Sequence, residues 1–294
     1  MPHGTVQKWR AAPVALACAV LVGLLGGCGD AGDETAGSSS GKPTGLPTAI
    51  VPAGGTGSGT GSGDSGPDAV ARYAKWDLVP FAAAPIPPQD KPVAGGGARP
   101  PVIDRVPTSE KIVFITIDDG AEKDPEFLEM MRDLRIPVSM FLNDTYVRED
   151  PEYFRVLQGL GASVQNHSLS HPDLKTLGVS AQKHQICGQQ DRLAEEFGTP
   201  PTLFRPPYGN WNETTRTIAG GCGVKAIVKW RESMQINDMQ YVGAKKLHPG
   251  DIILSHFRGP AELKGTTMTT MFGNMLRKIQ AQGYTIARLE DYIA

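Results

Sequence analysis

The sequence predicts an α/β fold, a barrel of about seven parallel strands wrapped by helices. Two observations predict it. Short apolar runs that do not alternate with polar residues recur along the chain, as in strands buried on both faces. Between them lie segments with apolar residues at helical spacing, so strand and helix alternate and the sheet is parallel. An open doubly wound sheet is the alternative, but no G-x-G-x-x-G or phosphate loop follows the first run. The turn there is Asp118-Asp119-Gly120, which repels a phosphate rather than cradling it.

The elements follow in order. Ile112 to Ile117 is an unbroken apolar strand. Asp124-Pro125 then starts a helix, with an acid at the N-cap and Pro at the first helical position, and Phe127, Leu128, Met131 and Leu134 turn inward. Val138 to Leu142 is the second strand, and Asp150-Pro151 starts a helix carrying Phe154, Leu157 and Leu160. Ala162 to Gln165 is the third strand. A helix from about Ala181 to Phe197, a strand at Thr202 to Phe204, a helix at about Glu213 to Ala219 and a strand at Val224 to Val228 come next. The last units are a strand at Ile252 to Ser255, a helix and a strand at Tyr284 to Arg288. That helix carries Met268, Met271, Phe272, Met275, Leu276 and Ile279, a stripe at helical spacing that belongs in a core. Residues 111–294 form the folded domain, and the Pro-rich stretch 71–110 packs against it as an extended strap.

The rest of the chain is built differently. Gly and Pro number 35 and 24, about a fifth of the 294 residues against roughly one-eighth in globular chains, so part of it builds no core. Lys8 and Arg10 precede an apolar stretch, Ala11 to Gly27, that is short for a membrane span and contains Pro13, as an export signal does. It ends in Leu25-Gly26-Gly27-Cys28, which resembles the lipobox of bacterial lipoproteins. The resemblance implies removal of residues 1–27, lipid on Cys28 and attachment to the membrane. An ordinary signal peptide and an uncleaved anchor are the alternatives, and all three place the remainder outside the cytoplasm. Residues 28–70, with the Gly/Ser/Thr run 54–63, cannot bury a core. As a coil they hold the domain on the order of 35 Å from the membrane, a tether reaching toward a cell wall. Gly37-Ser38-Ser39-Ser40-Gly41 matches G-x-S-x-G but lacks the preceding strand and following helix of a nucleophile elbow.

Charge and cysteines narrow the partners. The chain has 29 Lys and Arg against 31 Asp and Glu, a net of −2, with no basic stripe or acidic tail. Nucleic acid is thereby excluded as the main partner. Nothing signals a dimer interface, so a monomer is expected. Cys18 leaves with the export signal and Cys28 carries lipid, which leaves Cys187 and Cys222. An even pair outside the cell favours a disulfide, two buried thiols being the alternative.

Catalytic groups of parallel α/β barrels sit at the C-terminal ends of strands. The first strand here is followed by Asp118 and Asp119, the third by His167 and His171, the fourth by Arg205, and the strand at Ile252 by His256. Singly, each has an ordinary reading as a turn, a solvated histidine or an ion-pair partner. Together they converge on one rim. Two His spaced by four in a compact turn and one carboxylate make a three-ligand site with an open position, the usual layout for catalytic zinc. A carboxylate not spent on the metal serves as base and a separate histidine as acid, so the set suits metal-assisted hydrolysis of an ester or amide.

Four segments carry a resemblance: Phe114-Ile115-Thr116-Ile117-Asp118-Asp119-Gly120, His167-Ser168-Leu169-Ser170-His171, Arg205-Pro206-Pro207-Tyr208-Gly209 and Leu254-Ser255-His256. In this order they resemble the first, second, third and fifth motifs of the polysaccharide deacetylases of the NodB-homology type, carbohydrate esterase family 4. The resemblance implies a distorted (β/α) barrel that removes acetyl groups from acetylated sugars. It implies Asp118 as base, Asp119, His167 and His171 as ligands of a divalent metal, most simply Zn2+ with Co2+, Mn2+ or Ni2+ as alternatives, and His256 as acid. Arg205 would orient Asp118, the backbone N–H of Tyr208 would share the oxyanion, and Pro207, Trp230 and Leu254 would line the substrate groove.

One stretch departs from the pattern. The family's fourth motif carries an aspartate that pairs with the acid histidine, whereas Val228-Lys229-Trp230-Arg231-Glu232-Ser233 has none. Glu232 or Asp251 would substitute, or His256 has no carboxylate partner. The leading expectation is a lipid-anchored, metal-dependent deacetylase of acetylated cell-envelope polysaccharide, peptidoglycan first. A non-catalytic glycan-binding lipoprotein with a vestigial metal site and an O-acetyl (xylan) esterase are the alternatives.

Overall fold

The computed structural model describes residues 66–294. The export segment, Cys28 and nearly all of the tether lie outside them. Ten strands form one curled sheet: β1 (Val102–Ile103), β2 (Ile112–Asp119), β3 (Ser139–Leu142), β4 (Ser163–Asn166), β5 (Leu203–Phe204), β6 (Ala226–Val228), β7 (Glu232–Met234), β8 (Met239–Tyr241), β9 (Ile252–His256) and β10 (Thr285–Ile286). Their order is β1-β6-β5-β4-β3-β2-β9-β7-β8, with β10 on β2. All pairings are parallel except β7 with β8. The sheet curls into a half-barrel with β1 and β8 at its ends, a distorted (β/α) barrel.

The distortion has a visible source in β2. Its first residues, Ile112 and Val113, pair with β10, while Thr116 to Asp119 pair with β3. One strand thus serves two neighbours on one side. Three short strands lie outside the sequence expectations: β1 inside the Pro-rich stretch, and the hairpin β7–β8. Two or three residues are too few for any hydrophobic period to show.

Both faces of β2 are buried, which is why its sequence does not alternate. Ile112 and Phe114 face the barrel interior with Phe141, Val228, Ile252, Leu289 and Tyr292. Val113, Ile115 and Ile117 face the outer layer, where the helices lie. Each such side chain fully buried contributes about 1.5–3 kcal/mol. The helices are α1 (Pro67–Ala74), α2 (Pro125–Leu134), α3 (Asp144–Val147), α4 (Pro151–Gly159), α5 (Val179–Phe197), α6 (Glu213–Gly221) and α7 (Met268–Ala281). Asp124 caps α2 by accepting from the Glu126 N–H at 2.9 Å, and its other oxygen accepts from the Thr269 hydroxyl at 2.7 Å, joining α2 to α7. The Met stripe of α7 lies in the outer core, and Phe127 meets Phe257 and Phe272 edge to face. Cys187 of α5 is disulfide-bonded to Cys222 at the end of α6.

The chain ahead of β2 runs along the body of the domain. The Tyr73 hydroxyl donates to the Leu134 carbonyl at 3.0 Å, and Lys91 donates to the carbonyls of Glu290 and Ile293 at 3.1 and 3.2 Å. Among the described residues no helix is long and apolar enough to cross a membrane.

Candidate functional site

Alternation along β2 puts Thr116 and Asp118 on the interior face with Phe114, and the strand then breaks its own rhythm. Asp119 has φ +77° and Gly120 φ +97°, and a Cβ on Gly120 would meet the Phe154 ring at 3.0 Å. This left-handed turn delivers a second carboxylate to the same rim. Of the seven non-glycine residues with left-handed backbone among the described residues, four are here: Asp119, Ser168, His171 and Tyr208. Each costs of order 1–3 kcal/mol and persists only where the surroundings impose it.

His167 and His171 come from the turn after β4. That turn is wired by side chains: Asn166 accepts from the Ser168 N–H at 2.8 Å, and the Ser168 hydroxyl accepts from the His171 N–H at 3.2 Å. His167 donates from Nδ1 to the Arg205 carbonyl at 2.7 Å, because a carbonyl only accepts, and so its Nε2 keeps a lone pair. Nε2 lies 3.6 Å from Asp118 Oδ2 and 3.6 Å from Asp119 Oδ1, and His171 Nε2 lies 3.5 Å from Asp119 Oδ1. One donor atom each from Asp119, His167 and His171 falls within 4.8 Å of the other two. Burial pushes His167 down to about 3, partly opposed by Asp119, so the ring is neutral. Two imidazoles and a carboxylate, one of the rings oriented by a backbone carbonyl, fit a divalent metal.

Asp118 is held from another side. Arg205, fully buried, donates from Nη1 to Asp118 at 2.6 Å and to the Thr116 hydroxyl at 2.9 Å. Its Nε donates to the Val228 carbonyl at 3.1 Å and its Nη2 to the Lys229 carbonyl at 3.2 Å. The guanidinium also lies 4.3 Å over the Phe141 ring. Burial pushes Asp118 up to about 6, with Arg205 opposing it. Two adjacent carboxylates therefore sit in different surroundings, Asp119 between two imidazole nitrogens and Asp118 between one imidazole and a guanidinium.

His256, the last residue of β9, is in register with Asp118. Burial, then the charge of Arg258, pushes it well below the ordinary histidine range. Neither Glu232 nor Asp251 is its partner, so of the three alternatives left open by the sequence the two substitutions fall away. Asp251 precedes β9, five residues from His256 and so about 16 Å down the strand, where it pairs with Arg105 and accepts from the His248 N–H at 2.7 Å. Glu232 stands beside Ile253 at the same lower level and interacts with Asp251. Among the described residues the His256 ring has no carboxylate partner.

The remaining residues fall around this centre. Tyr208, at 64 % exposure, sets its ring edge-on to His171 at 4.6 Å. Trp230 packs where a Cβ on Gly209 would touch it at 3.0 Å. Pro207 is buried, and Leu254 is paired with Thr116, one layer beneath His256. Three neighbours escaped the sequence analysis. Thr116 orients Arg205, Tyr146 on α3 lies within reach of the Asp119 charge, and Arg258 acts on both Asp118 and His256. A polar residue in an apolar strand was the available signal for Thr116; the other two follow strand ends without a motif.

Residues 105–227 match the family model described as polysaccharide deacetylase. An uncharacterized protein of Streptomyces coelicolor is 40 % identical over 215 residues, covering 72 % of this chain and 84 % of that protein. A chitooligosaccharide deacetylase of Sinorhizobium fredii is 28 % identical, covering 52 % of this chain and 75 % of its own, and a peptidoglycan-N-acetylmuramic acid deacetylase of Bacillus subtilis is 26 % identical, covering 63 % and 72 %. In structure the chain resembles a carbohydrate esterase family 4 pseudoenzyme from Bacillus anthracis, with TM-score 0.56, 22 % identity and coverage of 66 % of this chain and 69 % of that one.

Proposed function

The chain belongs to the polysaccharide deacetylase family, and we propose that it is a metal-dependent hydrolase removing acetyl groups from N-acetylated cell-wall polysaccharide, peptidoglycan or another N-acetylglucosamine polymer. One observation carries the reading: Asp118 and Asp119 are adjacent, yet only Asp119 reaches both His167 and His171, while Asp118 reaches His167 alone and is gripped by Arg205. When bound by those three residues, a divalent cation, most simply Zn2+ with Co2+, Mn2+ or Ni2+ as alternatives, supplies polarisation of the acetyl carbonyl and acidification of a water. Asp118, raised by burial toward the working pH, accepts the proton of the attacking water. His256, held neutral by burial and the charge of Arg258, relays to the departing amine the proton that Asp118 takes from the water, which leaves both groups as they began. The Tyr208 backbone N–H donates to the acetyl oxygen as charge grows there. Pro207, Trp230 and Leu254 shape the groove around the sugar.

The N-terminal sequence supports a place for this chemistry. An export signal ending at Cys28, lipid on that cysteine and a Gly/Ser tether hold a monomeric domain outside the cytoplasm, on the membrane and within reach of the wall. The His256 ring without a carboxylate partner favours two other readings. A glycan binder with a vestigial metal site needs no acid, and an O-acetyl esterase releases an alcohol, which needs less help in leaving than an amine.

The test is acetate release from peptidoglycan and from chitooligosaccharides, by protein stripped with a chelator and then reconstituted with zinc. Acetate that disappears on stripping and returns with zinc is the expected result. No acetate from either polymer, with one zinc bound per chain, overturns the deacetylase reading in favour of the binder.

A further inference from the structure

The rim above His256 holds a cation whose charge is unspent. Arg258 lies two residues past the end of β9, separated from His256 by Phe257, which is buried in the outer core against Phe127 and Phe154. Its backbone is pinned on both sides. The Phe257 N–H donates to the Asp118 carbonyl at 3.0 Å, and the Phe257 carbonyl accepts from the Glu122 N–H at 3.1 Å. The Gly259 N–H donates to the Glu262 carboxylate at 3.0 Å. A Cβ at Gly259 would meet a carboxylate oxygen of Glu122, whose side chain would have to swing aside to admit it.

Two other cations of this rim are committed, and a third, Lys229 just past β6, makes no side-chain hydrogen bond or ion pair among the described residues but is not among the charges acting on His256. Lys123 donates to Glu149 at 3.2 Å and to the Tyr146 carbonyl at 3.1 Å, and every nitrogen of Arg205 is used. Arg258 is half-buried, and among the described residues its guanidinium makes no hydrogen bond and no ion pair. Glu122 and Glu262 flank the same turn, yet neither is in ion-pair contact with it. Its charge nevertheless reaches the reacting groups. After burial it is the charge that lowers His256 most, and it acts on Asp118 and Tyr146 as well.

The His256 side of the site therefore has one positive charge more than it has partners, and His256 lacks the carboxylate that would balance it. A half-buried guanidinium left unpaired is costly, and its planar fork matches a carboxylate with two parallel hydrogen bonds. We propose that Arg258 is a specificity-determining residue that pairs with a carboxylate on the glycan near the scissile acetamide, so that the preferred substrate is an acidic N-acetylated oligosaccharide rather than a neutral one. The carboxylate is either the lactyl group of a muramyl residue or the uronate of a neighbouring sugar. The inference rests on the deacetylase reading for its chemistry and on the geometry alone for its binding.

Both parts are measured on the full chain reconstituted with zinc, using three oligosaccharides: a muramyl-containing one, a hyaluronan fragment and a chitooligosaccharide. The wild type is expected to show kcat/KM about tenfold higher on one of the two acidic substrates, the size of one partly exposed ion pair. The acidic substrate that shows the preference identifies the carboxylate. Arg258→Gln collapses the preference, with the loss falling on KM, and Arg258→Lys restores part of it. Equal kcat/KM on all three in the wild type overturns the inference, as does an equal loss on all three in Arg258→Gln. Binding of the same oligosaccharides to Asp118→Asn, with and without Arg258→Gln, separates the two readings. Acidic preference in binding without acetate release from the wild type sinks only the deacetylase reading; acetate release without acidic preference sinks only the role of Arg258.

Discussion

At the scale of single residues, Arg205 concentrates more of the site than any other side chain. It neutralises Asp118, ties β6 to β2 and lends its backbone carbonyl to His167. Those duties separate by substitution. Arg205→Lys keeps the charge but cannot make the same set of hydrogen bonds, leaving buried carbonyls and the Thr116 hydroxyl without their donor. We expect a loss of about 3 kcal/mol in urea unfolding and at least a hundredfold loss of kcat, with zinc stoichiometry unchanged because the His167 partner is backbone. Loss of zinc in that variant would show that the metal cluster and Arg205 are not separable. The ligand-type residues were legible in the sequence because each follows a strand that is itself legible. The placement of Glu232 was not, since β7 is too short to show in the sequence, whereas Asp251 directly precedes the strand that His256 ends.

At the scale of elements, β7 and β9 bury a pair of acids at the lower end of the sheet. Glu232 is 1 % exposed and Asp251 fully buried. Burial, then the charge of Asp251, pushes Glu232 up to about 9, so the folded chain holds a proton there that the unfolded chain loses near the ordinary glutamate value. The sign follows from linkage. Stability contributed by that proton is complete below the unfolded value, near 4.5, and is lost progressively as pH rises toward 9. Glu232→Gln carries its hydrogen-bond donor at every pH, so it is expected to flatten the stability profile between those limits and to gain on the wild type at pH 8. Parallel urea midpoints for the two proteins from pH 5 to 9 would refute the shared proton. Neither β7 nor β8 was visible in advance, because three-residue strands owe their pairing to partners elsewhere in the sheet.

At the scale of the whole molecule, the disulfide between Cys187 and Cys222 closes a segment with a sequence separation of 35 residues and joins α5 to α6. The segment contains Arg205 and Tyr208, so the constraint spans the part of the chain that carries one side of the site. In the chain-entropy account such a closure stabilises by about 3–4 kcal/mol. The double variant Cys187→Ser, Cys222→Ser should therefore unfold at lower denaturant by that amount while keeping its zinc, since neither cysteine touches the ligand cluster. An unchanged midpoint would mean that packing of α5 on α6 already restricts the segment.

The sequence by itself determined the succession of strands and helices and the chemical types at the strand ends. Both are local: an apolar run, a capped helix start or a His turn depends on residues within a few positions of one another. Tertiary structure alone decided how β2 divides between β3 and β10, that Arg205 reaches Asp118 across 87 residues, and that Asp251 is spent on Arg105 across 146. It also decided that His256 lies under the charge of Arg258 and, among the described residues, has no carboxylate partner. Charges attract or repel by distance in space, and the curl of a sheet brings together residues whose separation along the chain carries no trace of it.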